Sequence, residues 1–480
     1  MIERTAEQMA GLDGLRATII GLGREGMALA RFLAAHGARV TVSDAKGPDA
    51  LNEAIAQLGD LDVHYALGGH PEWILAADVL FLSPGVPAEA PIVVQARQRG
   101  VALSSETRLF TRLCPAAIVG ITGSSGKTTT TTLVGRMLEA SGRHTFVGGN
   151  IGQPLIGRLH EIDAGDAVVM ELSSFQLEGF GPAAPPERAF PAGGWSPPGA
   201  AILNITPNHL DRHPTMEAYI AAKANILRYQ RPDDWVVLNA DDEVTRTCGE
   251  CYAGRTIEFS MLGPVAVGAY LDGETITWAP QPGQAVPICA TAELKLRGRH
   301  NIANALAAVA ISGAAGATAA AMRQVATTFA GVEHRLELVR ALDGVAYYND
   351  SIATSPERAI AAVQSFSEPL VLLAGGRDKH LPWAAWARLV HERVREVICF
   401  GEMAPLLERA LAQVDGAGAG GPRVHACGSL SEAVALAARV ARPGDVVLLS
   451  PGGTSFDAYQ DFVARGEAFR VAVRGLGRKA

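Results

Sequence analysis

A glycine-rich segment with a lysine and two threonines is the part of the sequence whose spacing most directly predicts chemistry. It reads Gly120-Ile-Thr-Gly-Ser-Ser-Gly-Lys-Thr-Thr129 and follows the apolar run Ala116 to Val119. A strand, a tight glycine turn and a helix N-terminus direct backbone N–H groups at phosphate oxygens, while Lys127 reaches the outer phosphates and the Thr128 hydroxyl binds Mg2+. The spacing departs slightly from G-x-x-x-x-G-K-[ST], and a glycine turn without a ligand is the alternative interpretation.

A carboxylate and a lysine further along could take part in the same chemistry. Glu171 ends the apolar run Ala167 to Met170, where it is either a Mg2+ ligand or a surface acid. Lys223 falls at helical spacing with the apolar residues Met216, Ile220 and Leu227, after Thr215 as a candidate cap. A buried lysine has a lowered pKa and a reactive amine, but a lysine that reaches the surface fits the spacing equally well.

Several other segments are rich in polar ligands. Asn204 to His213 follows a further apolar run and contains amide, imidazole and carboxylate groups within one turn. Comparable polar groups recur at Arg297–Asn304, Glu333–Arg335, Asn349–Ser351 and Gly375–Lys379. Arginine and lysine suit phosphate and carboxylate ligands, although ordinary surface polarity would give the same residue types.

The chain is long enough to require more than one core. At about 150 residues per domain, 480 residues predict three domains. A hydrophobic content of 48% with 19% charged residues is typical of a globular protein, and a net charge of -7 argues against a general nucleic-acid surface. The six cysteines are scattered, so we expect reduced thiols, with no metal assigned to Cys248 and Cys251.

The chain shows no segment that predicts a membrane or an export signal. Residues 1–15 carry several charges and no apolar stretch, which predicts a cytoplasmic protein without a signal peptide. The alanine-rich run Ala305 to Met322 contains two glycines and predicts two packed helices rather than a membrane span.

The first segment has the order of a Rossmann-like unit. A strand at Ala17–Ile20 leads into glycines 21, 23 and 26, a helix at Met27–Ala35 and a strand at Val40–Val42 that precedes Asp44. This pattern alone suggests NAD, yet the same geometry binds other nucleotide diphosphates. A strand at Ala77–Leu82 then brings a second ligand-facing loop to the same edge of the sheet.

The remaining segments predict two more α/β domains. In the middle segment, apolar runs alternate with helical stretches, which predicts a parallel sheet covered by helices. Within it, Gly179–Gly199 is rich in Pro, Gly and Ala and is interpreted as a surface insertion without a site. The last segment repeats the rhythm at Val345–Tyr348, Leu370–Leu373, Val397–Phe400 and Val446–Leu449. We therefore predict an α/β fold with domains at 1–111, 112–331 and 332–480.

Taken together, the motifs resemble those of the Mur ligases, and the resemblance covers nearly the whole chain. Five of them lie before residue 224: Gly123-x-x-Gly-Lys-Thr-Thr, Gly148-Gly-Asn-Ile-Gly152, Glu171-Leu-Ser-Ser-Phe-Gln-Leu-Glu178, Leu203-Asn-x-x-x-x-His-Leu-Asp-Arg212 and Lys223. The later ones follow in the same order: His300-Asn-x-x-Asn304, His334-Arg335, Asn349-Asp-Ser351 and Ser450 to Phe462.

The resemblance implies a fold and an activity. The fold would comprise an N-terminal Rossmann-like domain for a UDP-sugar, a central P-loop ATPase α/β domain and a C-terminal Rossmann-like α/β domain for the amino acid. The activity would be ATP- and Mg2+-dependent addition of D-glutamate to UDP-N-acetylmuramoyl-L-alanine through an acyl phosphate. It would serve cytoplasmic peptidoglycan synthesis, and through it cell wall biogenesis, cell shape and cell division. We expect small-molecule substrates, no nucleic acid, no membrane insertion and a monomer.

The resemblance also implies roles for individual residues. Catalysis would involve Lys127, Asn150, Glu171, His209 and Lys223. ATP would be bound by Gly123, Ser124, Ser125, Gly126, Lys127, Thr128, Thr129, Thr130, Asn304, Arg335 and Asp350. The UDP substrate would contact Arg24, Glu25, Asp44, Lys46, Ser83, Pro84, Gly85 and Asn150. Metal would be held by Thr128, Glu171, His209 and Lys223 as a carbamate, and glutamate by Thr354, Lys379, Ser455 and Phe462.

Two departures from the family pattern lie in the amino-acid domain. Ile352 occupies a position where relatives commonly carry lysine, and the Gly375–Trp383 loop also differs. The resemblance therefore leaves D-glutamate and L-glutamate both open. A folylpolyglutamate synthase is disfavoured by the complete N-terminal nucleotide-binding segment. An NAD-binding oxidoreductase or sensor built on Gly21–Gly26 is the alternative of another class, but it leaves Lys127, Glu171, His209 and Lys223 unexplained.

Overall fold

The computed structural model of the protein describes residues 9, 11–181, 194–208, 212–250, 252, 254–296, 298–379, 381–414 and 421–477. The chain forms two compact units, Met1–Phe329 and Ala330–Ala480. The first unit contains two sheets and the second contains one. The predicted α/β class is thus confirmed, while the domain limits at residues 111 and 331 stay predictions.

The first sheet is parallel and has five strands in the order β3-β2-β1-β4-β5. Its strands are β1 (Arg16–Ile20), β2 (Arg39–Asp44), β3 (Val63–Leu67), β4 (Val79–Leu82) and β5 (Ala102–Ser104). The helices are α1 (Arg24–Ala35), α2 (Pro48–Gln57), α3 (Pro91–Gln98) and α4 (Glu106–Leu113), with a short 3₁₀ helix at Glu72–Leu75. The Rossmann-like opening is confirmed, because a glycine turn joins β1 directly to α1.

The second sheet has nine strands in the order β14-β13-β12-β11-β10-β9-β6-β8-β7. Its strands are β6 (Ala117–Thr122), β7 (Thr145–Gly149), β8 (Ala167–Glu171), β9 (Gly199–Ile202), β10 (Trp235–Asn239), β11 (Arg255–Ser260), β12 (Gly268–Asp272), β13 (Thr275–Gln281) and β14 (Gln284–Ala290). The helices are α5 (Lys127–Ala140), α6 (Ser174–Glu178), α7 (Met216–Arg228), α8 (Glu243–Gly249), α9 (Arg299–Ala314) and α10 (Ala319–Thr328). Two 3₁₀ helices lie at Leu155–Glu161 and Thr291–Glu293.

The prediction of a parallel middle sheet is wrong at one edge. Strands β12, β13 and β14 pair antiparallel. The turns at Asp272–Thr275 and Gln281–Gln284 each have two central residues, one of which is a glycine with positive φ, Gly273 or Gly283. Glycine adopts this backbone without steric cost, so a tight hairpin is favoured over a helical crossover.

The predicted surface insertion at Gly179–Gly199 lies partly outside the described residues. At its end, Ser196 and Pro197 are buried, and Gly199 begins β9 beside β6. A Cβ at position 199 would lie 2.4 Å from the Trp235 ring, so only glycine fits. The interpretation as surface is therefore wrong for this last part, which belongs to the sheet.

The second unit is a six-stranded sheet in the order β15-β16-β20-β17-β18-β19, with β15 antiparallel to β16. Its strands are β15 (Glu337–Leu342), β16 (Val345–Asn349), β17 (Leu370–Gly375), β18 (Val394–Phe400), β19 (Arg423–Cys427) and β20 (Val446–Gly452). The helices are α11 (Pro356–Gln364), α12 (Ala384–Arg393), α13 (Ala404–Ala412), α14 (Leu430–Val440) and α15 (Phe462–Arg474). Helices pack on both faces and give two buried apolar clusters.

The alanine-rich run after residue 304 forms parts of α9 and α10, as predicted. Helix α9 packs against α5 and the second sheet, and most of its residues are buried. Among the described residues, no helix has both the length and the apolar character needed to cross a bilayer.

The core of the second unit can be tested at its largest buried side chain. Trp386 is 0% exposed and packs edge-on against Trp383 with ring centroids 5.3 Å apart. We expect Trp386→Ala to lower the free energy of unfolding by about 3–5 kcal/mol, because it leaves a cavity. Trp73→Ala, at a side chain 55% exposed, is the control and should change it by no more than about 0.5 kcal/mol. Urea unfolding followed by circular dichroism measures both, and equal losses would contradict the packing.

Candidate active site

The predicted phosphate turn lies between β6 and α5. Gly126 caps α5 with φ 79°, and a Cβ there would lie 2.2 Å from the Asn304 Oδ1. The Ser125 N–H donates to the Asn204 Oδ1 at 2.9 Å, and the Ser124 hydroxyl lies 3.0 Å from the Tyr219 hydroxyl. Two asparagines from distant segments therefore fix the turn, and one of them is the predicted ATP ligand Asn304.

Two lysine ammonium groups converge on one carbonyl oxygen of this turn. The Nζ of Lys127 donates to the Gly123 oxygen at 2.8 Å. The Nζ of Lys223 donates to the same oxygen at 3.0 Å and to the Thr122 hydroxyl at 3.3 Å. With 1% of its surface exposed and its ammonium 4.8 Å from the centre of the Tyr219 ring, Lys223 is buried, which decides between the two interpretations left open by the sequence.

The environment of Lys223 weakens its hold on a proton. Burial, together with the positive charge of Lys127, lowers the pKa of Lys223 to about 7, and Glu171 opposes the shift. A pKa in this range leaves a large fraction of the amine uncharged near neutral pH. The site therefore holds a nucleophilic amine beside a fixed cation.

Glu171 supplies the opposite charge. It ends β8, is 2% exposed, and its Oε1 accepts a hydrogen bond from the Asn150 amide at 2.8 Å. The Oε2 atom is also buried and has no hydrogen-bond partner among the described residues. A buried carboxylate oxygen without a donor is costly unless a cation satisfies it, so the geometry fits a metal ion at this oxygen.

The remaining residues predicted to bind metal or phosphate differ in how exposed they are, and one lies outside the described residues. His209 lies outside the described residues. Thr128 is half-buried on the first turn of α5. Thr129 and Thr130 are 8% and 0% exposed, and the Thr130 N–H donates to the Gly126 oxygen. In the described part of the chain, no three His, Cys, Asp or Glu side chains cluster for a metal.

Apart from Asn150, which follows β7 of the second sheet, the predicted UDP-binding residues lie at the carboxyl edge of the first sheet. Both Asp44 carboxylate oxygens accept backbone N–H groups, from Leu22 at 2.8 Å and Lys46 at 2.9 Å. Asp44 therefore braces the glycine turn. The Ser83 hydroxyl donates to the Gly21 oxygen at 3.3 Å, which joins the second loop to the first.

The other predicted UDP-binding residues make different kinds of contact. Pro84 and Gly85 lie in a turn closed by a hydrogen bond from the Val86 N–H to the Ser83 oxygen. Arg24 donates to the Gly152 oxygen at 3.2 Å, close in sequence to Asn150. The Oε2 of Glu25 is buried and has no hydrogen-bond partner among the described residues.

The second unit contains the predicted glutamate-binding residues. The Nζ of Lys379 lies 3.5 Å from the Thr354 hydroxyl, Ser455 is 2% exposed, and the Phe462 oxygen accepts from the Ser351 hydroxyl at 2.7 Å. Burial lowers the pKa of Lys379, as do the charges of Arg358 and Arg465. The positive charges of Lys379, Arg358 and Arg465 lie close enough to affect one another, and such a cluster suits an anion.

Asp350 and Arg335, predicted to bind ATP, also lie in the second unit. Asp350 is 5% exposed, and burial raises its pKa to about 7 although it accepts from the Ser450 hydroxyl at 3.0 Å. Arg335 is exposed. Their contact with a nucleotide remains a prediction.

Three residues that contact predicted site residues or their neighbours were not themselves predicted. Tyr219 lies one helical turn before Lys223, and this spacing is the signal that could have found it. Asn204 was seen only as part of a polar segment. Arg465 is 0% exposed and donates to the Ser351 hydroxyl and to the oxygens of Ser351 and Gly453. Its only signal is a position three residues after Phe462 on the same helix.

Gly126 provides a test of the phosphate turn. An alanine there requires a left-handed backbone and places Cβ against Asn304, so Gly126→Ala should weaken ATP binding at least about tenfold, a change of about 1.4 kcal/mol. Gly165→Ala is the control, because φ is ordinary there and no atom lies within 4 Å of the added Cβ. Calorimetric titration with ATP compares them; unchanged affinity in Gly126→Ala would reject the turn as the binding site.

Known proteins match this chain along nearly its whole length. Three family models match: the Mur ligase MurD-like N-terminal domain over residues 15–105, the Mur ligase middle domain over 121–312, and the Mur ligase glutamate ligase domain over 334–453. A UDP-N-acetylmuramoylalanine--D-glutamate ligase of Symbiobacterium thermophilum is 45% identical over 96% of this chain and 98% of its own length. A protein of the same name from Roseiflexus sp. is 42% identical over 97% of this chain and 99% of its own.

Solved structures agree on the fold. The UDP-N-acetylmuramate-alanine ligase MurC of Thermotoga maritima has a TM-score of 0.57 at 19% identity and covers 96% of this chain and 99% of its own. A MurF structure from Acinetobacter baumannii has a TM-score of 0.57 at 16% identity, with 97% of each chain covered. The predicted three-domain Mur ligase architecture is confirmed, and this chain belongs to the Mur ligase family.

Proposed function

We propose that the chain joins D-glutamate to UDP-N-acetylmuramoyl-L-alanine at the expense of ATP, in peptidoglycan precursor synthesis. The observation that carries the chemistry is the meeting of Lys127, Lys223 and Glu171 beside the phosphate turn. The choice of D-glutamate is supported by the names of the full-length relatives at 45% and 42% identity. We propose that the protein acts on these small molecules as a monomer.

The ATP phosphates would bind at the turn from Gly123 to Gly126. The N–H groups of Ser124 and Ser125 donate to Asn204, so the N–H groups at the start of α5 would bind the phosphates. The Lys127 ammonium would move from the Gly123 oxygen to the outer phosphates. Asn304 lies against Gly126 in the same unit. Arg335 and Asp350, which belong to the second unit, are also proposed to bind ATP.

Mg2+ would be held by Thr128, Glu171, His209 and a carbamate on Lys223. The unpartnered Oε2 of Glu171 supports this assignment. When bound, Mg2+ would spread the negative charge of the phosphates, which otherwise repel an incoming carboxylate.

A carbamate on Lys223 would resolve the crowding of two cations. The ammonium first loses one proton to solvent. The uncharged amine then attacks the carbon of CO2, an N–C bond forms as one C–O π bond opens onto oxygen, and a second proton leaves to solvent, so that a cation becomes an anion. The low pKa of Lys223 makes the uncharged amine available near neutral pH. Beside Lys127, the resulting anion would be stabilised rather than repelled.

The reaction would proceed in two steps. A carboxylate oxygen of the L-alanine residue attacks the γ-phosphorus, ADP leaves, and an acyl phosphate forms. The amine of glutamate then attacks the acyl carbon, and the tetrahedral intermediate expels phosphate. Lys127 would stabilise charge on the transferred phosphoryl group, and Asn150, fixed by Glu171, would orient the alanine carboxylate.

The UDP substrate and glutamate are proposed to bind to different units. Backbone and side-chain groups at the first sheet's edge would take the UDP moiety: Arg24, Glu25, Asp44, Lys46, Ser83, Pro84 and Gly85. Lys379, Thr354, Ser455 and the backbone of Phe462 would take glutamate. The positive field of Lys379, Arg358 and Arg465 supports an acidic amino acid as the acceptor.

Phosphate release tests the reaction and the handedness of the acceptor. With ATP, Mg2+ and UDP-N-acetylmuramoyl-L-alanine, we expect release with D-glutamate at least about 100-fold faster than with L-glutamate, a difference of about 2.7 kcal/mol. Phosphate release with L-glutamate alone would show that L-glutamate is the acceptor. No phosphate release with either amino acid would reject the substrate assignment. An added nicotinamide cofactor should show no absorbance change.

The carbamate is tested at Lys223. We expect Lys223→Ala to lower kcat by at least about 100-fold, because an anion that organises the site is lost. Added bicarbonate should restore part of the activity by occupying the vacated space. Lys295→Ala, at an exposed lysine, is the control. Full activity of Lys223→Ala without bicarbonate would exclude the carbamate.

A further inference from the structure

Two glutamates from distant parts of the chain line one small cavity beside α1. Glu25 lies on the first turn of α1, and Glu106 begins α4. The cavity has a volume of about 10 Å3 and is lined by Ile19, Glu25, Gly26, Leu29, Phe81, Leu82, Ser83 and Glu106. It has room for one water molecule at most, and apart from the two carboxyl groups and one hydroxyl its walls are apolar.

The contacts of the two carboxyl groups leave them short of donors. Glu106 is 6% exposed, its Oε1 accepts from the Ile156 N–H at 3.3 Å, and its Oε2 accepts from the Thr107 hydroxyl at 3.3 Å. The Thr107 hydroxyl in turn accepts from the Gln176 amide at 3.0 Å. The Glu25 Oε2 is buried without a partner among the described residues. Two full negative charges here would be poorly satisfied.

The surrounding charges do not offset this burial. Burial raises the pKa of Glu25 to about 7, against the charge of Arg24. Burial and the charge of Glu25 raise the pKa of Glu106 to about 8. Several other charged groups on the packed elements are engaged elsewhere: Asp44 with backbone N–H groups, Arg16 with Asp78, Arg31 with Asp60, Arg158 with Glu161, and Arg108 with the carbonyls of Gly179 and Gly181. Arg112 also lies on α4.

The pair lies between two parts of the proposed UDP-sugar site. Glu25 immediately follows Arg24, which donates to the Gly152 oxygen, and Glu106 accepts from the Ile156 N–H. The segment 152–156, which follows Asn150, is therefore tied to α1 at one end and to α4 at the other. Ionisation of both carboxyl groups would push α1 and α4 apart and would place negative charge behind the turn that faces the diphosphate.

We propose that Glu25 and Glu106 share a proton and that this proton positions the Gly21–Gly26 turn against the segment 152–156. As a result, binding of the UDP substrate in mildly alkaline solution is coupled to proton uptake by the pair. The proposal rests on the proposed UDP-binding role of the turn. A bound diphosphate makes ionisation of the pair less favourable, and by reciprocity the protonated pair binds the diphosphate more tightly. The two glutamates are positioning residues, because they act through the turn and the segment.

The sign of the stability effect is fixed by the same charges. The pKa of an exposed glutamate is about 4.3. Since both pKa values are raised in the folded protein, the folded state holds more protons than the unfolded chain. The resulting stabilisation is complete below the unfolded value and is lost as the pH rises through about 7 to about 8. Neutral glutamine at either position removes that loss.

Calorimetry of the full-length protein measures the coupling directly. The probe is UDP-N-acetylmuramoyl-L-alanine at pH 8, titrated in two buffers that differ in ionisation enthalpy. We expect wild type to take up a substantial fraction of one proton, and Glu25→Gln and Glu106→Gln to lose most of that uptake. Glu139→Gln, at an exposed glutamate of α5, controls for protons contributed by the ligand or by other groups.

The pH dependence of KM and of melting gives a second measurement. From pH 7 to pH 9, KM for the UDP substrate should rise about tenfold in wild type and in Glu139→Gln, but no more than about twofold in Glu25→Gln, since one pKa unit is a tenfold change. The glutamine variants should melt higher relative to wild type at pH 9 than at pH 5.5. A merely structural role would shift melting equally at both values.

The possible failures point to different conclusions. Binding of the probe to wild type without proton uptake would overturn the pair while leaving the proposed function intact. Uptake that persists in both glutamine variants would also overturn it, because the proton would belong to another group. No binding of the probe to wild type would instead reject the proposed UDP role, and the coupling with it.

Discussion

The arrangement of the site depends on one carbonyl oxygen, that of Gly123, which accepts hydrogen bonds from both Lys127 and Lys223. Two ammonium groups on one acceptor repel each other, and burial of Lys223 makes the repulsion stronger because water screens it poorly. Burial first, and then the charge of Lys127, lowers the pKa of Lys223 to about 7. The phosphate turn is therefore prepared for anions, and any phosphate, carboxylate or carbamate that enters relieves the repulsion.

The sheet topology brings the charged groups of the phosphate turn together. Strand β6 lies between β8 and β9, so their parallel carboxyl ends bring the phosphate turn, Glu171 and the segment after β9 to one edge. Helix α7, capped by the Thr215 hydroxyl, returns across this edge with Lys223 and Tyr219 on its buried side. Burial of this lysine is tolerated because its Nζ bonds to the Thr122 hydroxyl and the Gly123 oxygen and because its pKa is lowered.

Buried ionisable groups recur where the segments of the proposed site meet. The Glu25 and Glu106 pair lies where the first sheet's glycine turn meets the segment after Asn150, and Asp350 lies at the end of β16 in the second unit. In each case desolvation is the first cause of the raised pKa. Such groups lower stability at alkaline pH, which is a cost consistent with a positioning role rather than with core packing.

Much of this protein follows from local sequence. Apolar runs located most strands of the parallel sheets, and glycines with a lysine and threonines located the phosphate turn, because backbone geometry and phosphate binding both depend on adjacent residues. The hairpins β12–β13 and β13–β14 were missed although Asp272-Gly273 and Pro282-Gly283 mark their turns, so that signal was present in the sequence. Spacing placed Lys223 on an apolar stripe but could not say whether it was buried.

Tertiary structure alone decided the electrostatics. Lys223 and the Gly123 carbonyl are far apart in the chain, and so are Glu25 and Glu106. Only the folded structure shows that the Glu171 Oε2 is buried and has no hydrogen-bond partner among the described residues. Desolvation depends on what covers a group from every side, and no local pattern contains that information. The sequence by itself thus determined which residues could do chemistry and on which elements they lie. Their charges, and therefore their reactivity, were decided only when the folded chain excluded water from around them.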